Sequence, residues 1–163
     1  MSESEAVHAP VTLALEPEAL AAAGRLLHDF NTEYDDPSPG AKALAERLEV
    51  LVGDEDTDVL LVGADDAGRA TGVAVLRFRR SLWTAADECY LAELYVVPGR
   101  RGSGLGRVLL RACVERAVAR GCDFIDLSTS EDDVAARHLY EAEGFRRTEG
   151  EGGPLAFHYE RDL

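Results

Sequence analysis

The stretch from Leu91 to Leu110, LAELYVVPGRRGSGLGRVLL, constrains the fold of this chain more than any other. Alternation places Leu91, Glu93, Tyr95 and Val97 on one face of a strand and Ala92, Leu94 and Val96 on the other. Pro98 and Gly99 stop that strand. Gly102, Gly104 and Gly106 then fall at alternate positions, so backbone N–H groups can line a concavity that no Cβ obstructs. Helical patterning begins at Leu105 and sets the loop at a helix N-terminus, where orphan N–H groups and the macrodipole favour an anion. Arg100, Arg101 and Arg107 add cationic side chains at the same place. The spacing predicts a site for a phosphate-bearing ligand.

A dinucleotide fingerprint, G-x-G-x-x-G, is the competing reading of these glycines. Counted from Gly102, its last position is Arg107; counted from Gly104, it is Leu109. Asp126 in FIDL does stand near the distance at which that fingerprint places an acidic residue. A dinucleotide fold, however, carries its glycine turn near the start of several βαβ units, and here most of the chain has already passed. A purely structural glycine turn is the other alternative.

Two motifs carry a family resemblance. Arg101-Gly102-Ser103-Gly104-Leu105-Gly106 is similar to the Arg/Gln-x-x-Gly-x-Gly/Ala signature of the GNAT N-acetyltransferases, in which such a loop cradles the pyrophosphate of acetyl-CoA. Downstream, Ala135 to Phe145 (AARHLYEAEGF) resembles the A-x-x-L-Y-x-x-x-G-F segment of the same family. The two stand in the family's order and spacing, and the resemblance is clear from about Val59 to Phe145. It implies a mixed, mostly antiparallel central sheet of six to seven strands with flanking helices and one parallel strand–helix–strand unit. It also implies acetyl-CoA as co-substrate, no metal, and homodimers as a common assembly.

The length, 163 residues, suits a single domain that buries roughly 70% of its unfolded surface. Residues 1–9 are expected to form a short tail and 10–163 the domain. No apolar run reaches the ~20 residues of a membrane span, and the polar N-terminus does not resemble a signal peptide. Cys89, Cys113 and Cys122 lack metal-ligand spacing and an even count, which favours buried free thiols in a reducing, cytoplasmic setting; a reactive thiol is the alternative. The net charge of −14 argues against nucleic acid and anionic membranes as partners. It sits awkwardly with a polyanion such as CoA, but screening over about 8 Å lets local donors outweigh distant carboxylates. The same acidity would attract a cationic amine, or would serve solubility alone.

Val11–Leu15 is expected as a first strand, and Glu18–Phe30 as an amphipathic helix with Leu20, Ala23, Leu27 and Phe30 inward. The turn-rich segment Asn31–Gly40 leads to a second helix carrying Leu44, Ala45, Leu48 and Leu51. Val59–Gly63 and Gly72–Arg80 pair across a DDAGRAT turn. Ser81–Asp87 forms a loop whose Trp83 either anchors in the core, the more usual fate, or walls a pocket. The helix after the glycine loop buries Leu109, Leu110, Cys113, Val114 and Ala117, sets Arg107, Arg111 and Glu115 on another face, and ends at Gly121. Phe124–Ser128 should run parallel to its predecessor. Ser130 and Asp133 resemble a capping box for a helix ending at Gly144, with Phe145–Thr148 and Leu155–Glu160 as closing strands.

The chemistry implied by the resemblance is attack of an amine on a thioester. Backbone N–H groups at Tyr95, Val96 and Val97 would meet the acyl carbonyl and pantetheine. The cofactor loop comprises Arg101, Gly102, Ser103, Gly104, Leu105, Gly106 and Arg107, while Asp133 replaces a frequent asparagine and cannot donate as an amide does. Tyr140 matches the family's general acid; its alternative is packing on the cofactor. Glu93, sharing a face with Tyr95, is the candidate base, and otherwise a structural or substrate-orienting carboxylate. His28, Glu33, Tyr34, Asp35, Asp36 and Trp83 are candidates for the acceptor side, an ordinary solvated loop being the alternative. His138 is expected on the exposed side of its helix. The expected activity is acetyl transfer to a primary amine, of a small cationic molecule or of a protein N-terminus or lysine. A non-catalytic acyl-CoA sensor on the same frame is the alternative.

Overall fold

The computed structural model describes residues 9–163. The expected tail therefore lies outside the described residues except for Ala9, which packs against the core. Strand β1 (Val11–Leu13) leads into helix α1 (Pro17–Glu33) and helix α2 (Ala41–Gly53). Strands β2 (Thr57–Val62), β3 (Gly72–Arg80) and β4 (Asp87–Val96) follow, then a 3-10 turn over Pro98–Arg100. Helix α3 (Leu105–Ala119), strand β5 (Cys122–Leu127) and helix α4 (Val134–Ala142) complete the order. Pro17 opens α1, where its missing N–H costs nothing. No helix among the described residues is long and apolar enough to cross a membrane.

The sheet has five strands in chain order, antiparallel throughout except for the parallel β4–β5 pair. The two faces bury separate cores. On one, Leu60, Ala74, Leu76, Cys89 and Leu91 meet Leu105, Leu109, Leu110 and Cys113 of α3. On the other, Val59, Leu61, Val73, Val75 and Tyr95 meet Leu20, Ala23, Leu26 and Leu27 of α1 and Leu48 of α2. Strand β2 is covered on both sides, so all its residues are buried.

Three expectations need correction. Among the described residues the sheet is five-stranded rather than six- or seven-stranded: the segments expected as closing strands meet only in an isolated Thr148–Leu155 bridge. Leu155, Phe157 and Tyr159 lie exposed, and a lone hairpin with no buried face has little to hold it. The alternation read over β4 also breaks. Val75 pairs with Glu93 and Leu76 with Leu91, so Ala92 is the extra residue of a β-bulge. Leu91 accordingly packs under α3, whereas Tyr95 and Val97 pack under α1. The capping box is replaced by a single cap, with Asp133 itself as the N-cap of α4.

Candidate functional site

The site grows from what β4 does after the bulge. Its pairing with β5 ends at Leu91–Leu127, but its pairing with β3 continues to Val96–Gly72. Past Leu91, the β5 side of β4 therefore has no strand partner. The Val97 N–H donates to the Thr71 carbonyl at 2.9 Å, which fixes the direction of the residues before it. By strand alternation Tyr95 also points its main-chain groups at β3, while those of Leu94 and Val96 point into the splay. This corrects the expected donor set. Val97 spends its amide on β3 and by alternation Tyr95 does the same, whereas Leu94 and Val96 face the splay.

Beyond the strand, Pro98 opens the 3-10 turn and the chain reaches the glycine loop. Gly102 (φ 74°) and Gly104 (φ 90°) both take left-handed backbone, which a side chain would strain. Gly104 is the N-cap of α3 and offers no side chain to the first turn, so the early N–H groups of that helix lack a cap. A Cβ on Gly102 would meet open space, whereas one on Gly106 would touch Leu139 of α4 at 3.5 Å. Ser103 Oγ turns inward and donates to the Arg100 carbonyl at 2.6 Å, and Leu105 is buried. The loop thus presents main-chain donors rather than side chains. A diphosphate such as that of CoA fits this donor set.

Two of the loop arginines, Arg101 and Arg107, are committed elsewhere. Arg101 forms a bidentate pair with Glu33, Nη1–Oε1 2.7 Å and Nη2–Oε2 2.8 Å, and its Nε donates to the Val96 carbonyl at 2.9 Å. Arg107 pairs with Glu143 at 3.1 Å, and Arg111 holds the same carboxylate at 2.8 Å. The side-chain hydrogen bonds of Arg101 and Arg111 keep Glu33 and Glu143, respectively, below the usual carboxylate range. No sequence signal linked these pairs, since Arg101 and Glu33 stand 68 residues apart.

Among the acceptor-side residues, Glu33 is therefore tied to Arg101 and also accepts from Tyr95 Oη at 3.1 Å. His28 Nδ1 lies 2.8 Å from Ser38 Oγ, and Tyr34 stands edge-on to Phe30. Trp83 is 87% exposed in the loop joining β3 to β4, so the expected core anchor is corrected. Glu93 is partly buried, and desolvation raises its pKa. Tyr140 packs beside Phe145, its rings 6.0 Å apart, and burial pushes the phenol up to about 12. Asp133 Oδ1 accepts from the Ala136 N–H at 3.0 Å and so serves as a helix cap. His138 is exposed. Burial pushes the Cys89 and Cys113 thiols up to about 12, the opposite of what a nucleophile needs.

A splayed strand end beside a glycine-built helix N-terminus is the arrangement that the resemblance to the GNAT acetyltransferases implies. The family model described as acetyltransferase (GNAT) family matches residues 23–145, and the chain belongs to that family. A crystal structure of a candidate acetyltransferase from Arthrobacter sp. FB24 is 41% identical with a TM-score of 0.82, over 94% of this chain and 96% of that one. The aminoglycoside N(6')-acetyltransferase type 1 of Stenotrophomonas maltophilia is 30% identical over 144 residues, 86% of this chain and 89% of its own length. A mycothiol acetyltransferase of Beutenbergia cavernae is 33% identical over 114 residues, 67% of this chain. The chain spans only 36% of that relative's length.

Proposed function

We propose that this protein is an acetyl-CoA-dependent N-acetyltransferase that passes the acetyl group directly to a primary amine of a small cationic molecule. The observation that carries this reading is the unpaired edge of β4 set beside the main-chain cradle at Gly102–Arg107. Aminoglycoside and thialysine acetyltransferases among the relatives support a cationic amine as acceptor. Acetyl-CoA would supply an activated acyl group and a thiolate leaving group. The loop amides would hold its diphosphate, and the Leu94 and Val96 amides would stabilise negative charge developing at the acyl oxygen.

The remaining work is proton handling. An alkyl amine of pKa about 10.4 is protonated roughly a thousand to one at a pH of about 7.4, a deficit of about 4 kcal/mol for the free nucleophile. Glu93 shares the face of Tyr95, and its raised pKa makes its carboxylate a better base than an exposed glutamate. As C–N forms and C–S breaks, the amine proton passes to Glu93 directly or through water. Tyr140 stays protonated at neutral pH. Handing its proton fully to a thiolate of pKa about 8.5 would run uphill by roughly 5 kcal/mol, so Tyr140 acts first as a hydrogen-bond donor to the departing sulfur. Cys89 and Cys113 are buried and undissociated, and desolvation also raises the pKa of the partly exposed Cys122, which supports direct transfer over an acyl-enzyme.

Thiol release from acetyl-CoA, measured across a panel of polyamines, aminoglycosides, lysine analogues and peptide N-termini, tests the proposal. Turnover should be fastest with a small polycation, and Tyr140→Phe should cut it by about a hundredfold with little change in CoA affinity. CoA binding without turnover on any amine would make the protein a sensor and overturn the transferase reading.

A further inference from the structure

We propose that Arg101, held by Glu33, is a positioning residue for the acyl oxygen rather than a grip on the diphosphate. This rests on the transferase reading of the same site. The splayed edge of β4 presents donors and acceptors together, because a strand residue points its N–H and C=O the same way. At Val96 the carbonyl would repel the negative charge that its own N–H is meant to stabilise. That carbonyl is covered: Arg101 Nε donates to it at 2.9 Å. At Val96 the edge is thereby converted from mixed polarity to a donor with a cation behind it.

The local chain explains how Arg101 gets there. Pro98 starts the 3-10 turn, Arg101 N–H donates to the Pro98 carbonyl, and the chain folds back so that the side chain lies along the end of β4. Glu33, the last residue of α1, then receives both terminal guanidinium nitrogens. Tyr95 closes the arrangement. Its hydroxyl donates to Glu33, its ring stacks on Phe30 at 5.0 Å, and the guanidinium carbon lies 5.5 Å from the ring centroid. Turning Arg101 toward a diphosphate would break three charge-assisted contacts and uncover Val96. The cradle does not need it, since its glycines and uncapped helix amides already supply donors.

The two roles make opposite predictions. We expect Glu33→Gln and Arg101→Gln to lower kcat by about ten- to a hundredfold through misplacement of the edge. The loss should be as large with the acetyl thioester of N-acetylcysteamine, which carries no phosphate, as with acetyl-CoA. The Kd of CoA by calorimetry should stay within about twofold, and the double variant should be no slower than the worse single one. A diphosphate grip would instead show as tighter CoA binding in Glu33→Gln, where Arg101 is set free. It would also confine the Arg101→Gln loss to the phosphate-bearing donor; either result overturns the proposal. If Arg101→Gln does not fold, Glu33→Gln alone separates the roles by the sign of its effect on CoA affinity. Wild-type turnover with both variants unaltered removes this inference alone, whereas a wild type that turns over neither donor removes the transferase reading and this one with it.

Discussion

Glu93 carries opposite consequences for activity and for stability. Desolvation raises its pKa above the ordinary 4.5, so the folded state disfavours the carboxylate that the amine requires as a base. Between 4.5 and the raised value the native protein holds the proton more tightly than the unfolded chain does, and stability falls as pH rises through that window. Glu93→Gln removes the burden. The variant should lose the alkaline-rising limb of its rate profile, yet melt at a higher temperature than wild type at pH 7, with the gap closing below pH 4.5. Melting curves and kcat/KM measured across pH on both proteins check this. An unchanged rate profile would leave Glu93 a structural role, and a lower melting temperature at pH 7 would show that its carboxylate is solvated. Glu33 runs the other way: its depressed pKa means that its contribution is present above 4.5 and fades as pH drops below it.

Among the elements, the α1–α2 contact turns on Gly24. Alanine is the better helix former by roughly 1 kcal/mol, so propensity alone favours Gly24→Ala. The built Cβ would stand 2.5 Å from the Ala41 carbonyl oxygen and 2.8 Å from the Ala45 nitrogen, both backbone atoms that cannot rotate away. Overpacking of this kind costs about 1–3 kcal/mol and should outweigh the propensity gain, lowering the denaturation midpoint. A raised midpoint in urea would show that the helices slide apart freely. Gly24 also marks where sequence reading stops. The stripes of α1 and α2, the glycine loop and the parallel β4–β5 unit were legible because each depends on local period or local turn chemistry. The bulge at Ala92 was not, since it exists only in register with Val75 and Leu76. Likewise Glu33–Arg101 and Glu143–Arg107 join distant elements, and no spacing announces them. Trp83 illustrates the converse: its type suggested a core that its loop does not reach.

Over the whole molecule, the arginine pairings change what the charge of −14 does. Arg101 is offset by Glu33, and Arg107 shares Glu143 with Arg111, so among the described residues Arg100 is the main uncompensated side-chain charge with which the cofactor loop opposes the acidic surroundings. At 0.01 M salt the Debye length, about 30 Å, exceeds the ~15 Å radius of gyration of a domain this size, and a ligand feels the entire charge. At 0.15 M it shrinks to about 8 Å and only the main-chain cradle and nearby groups act. A polyanionic donor and a polycationic acceptor must then respond with opposite sign. The kcat/KM for acetyl-CoA should rise across that salt range while that for the amine falls, each in proportion to the ligand's charge. Steady-state kinetics at saturating co-substrate separate the two slopes. If both fall together, arginine charge rather than backbone amides dominates the loop; if the amine slope is flat, the acidity serves solubility and the acceptor is not selected by charge.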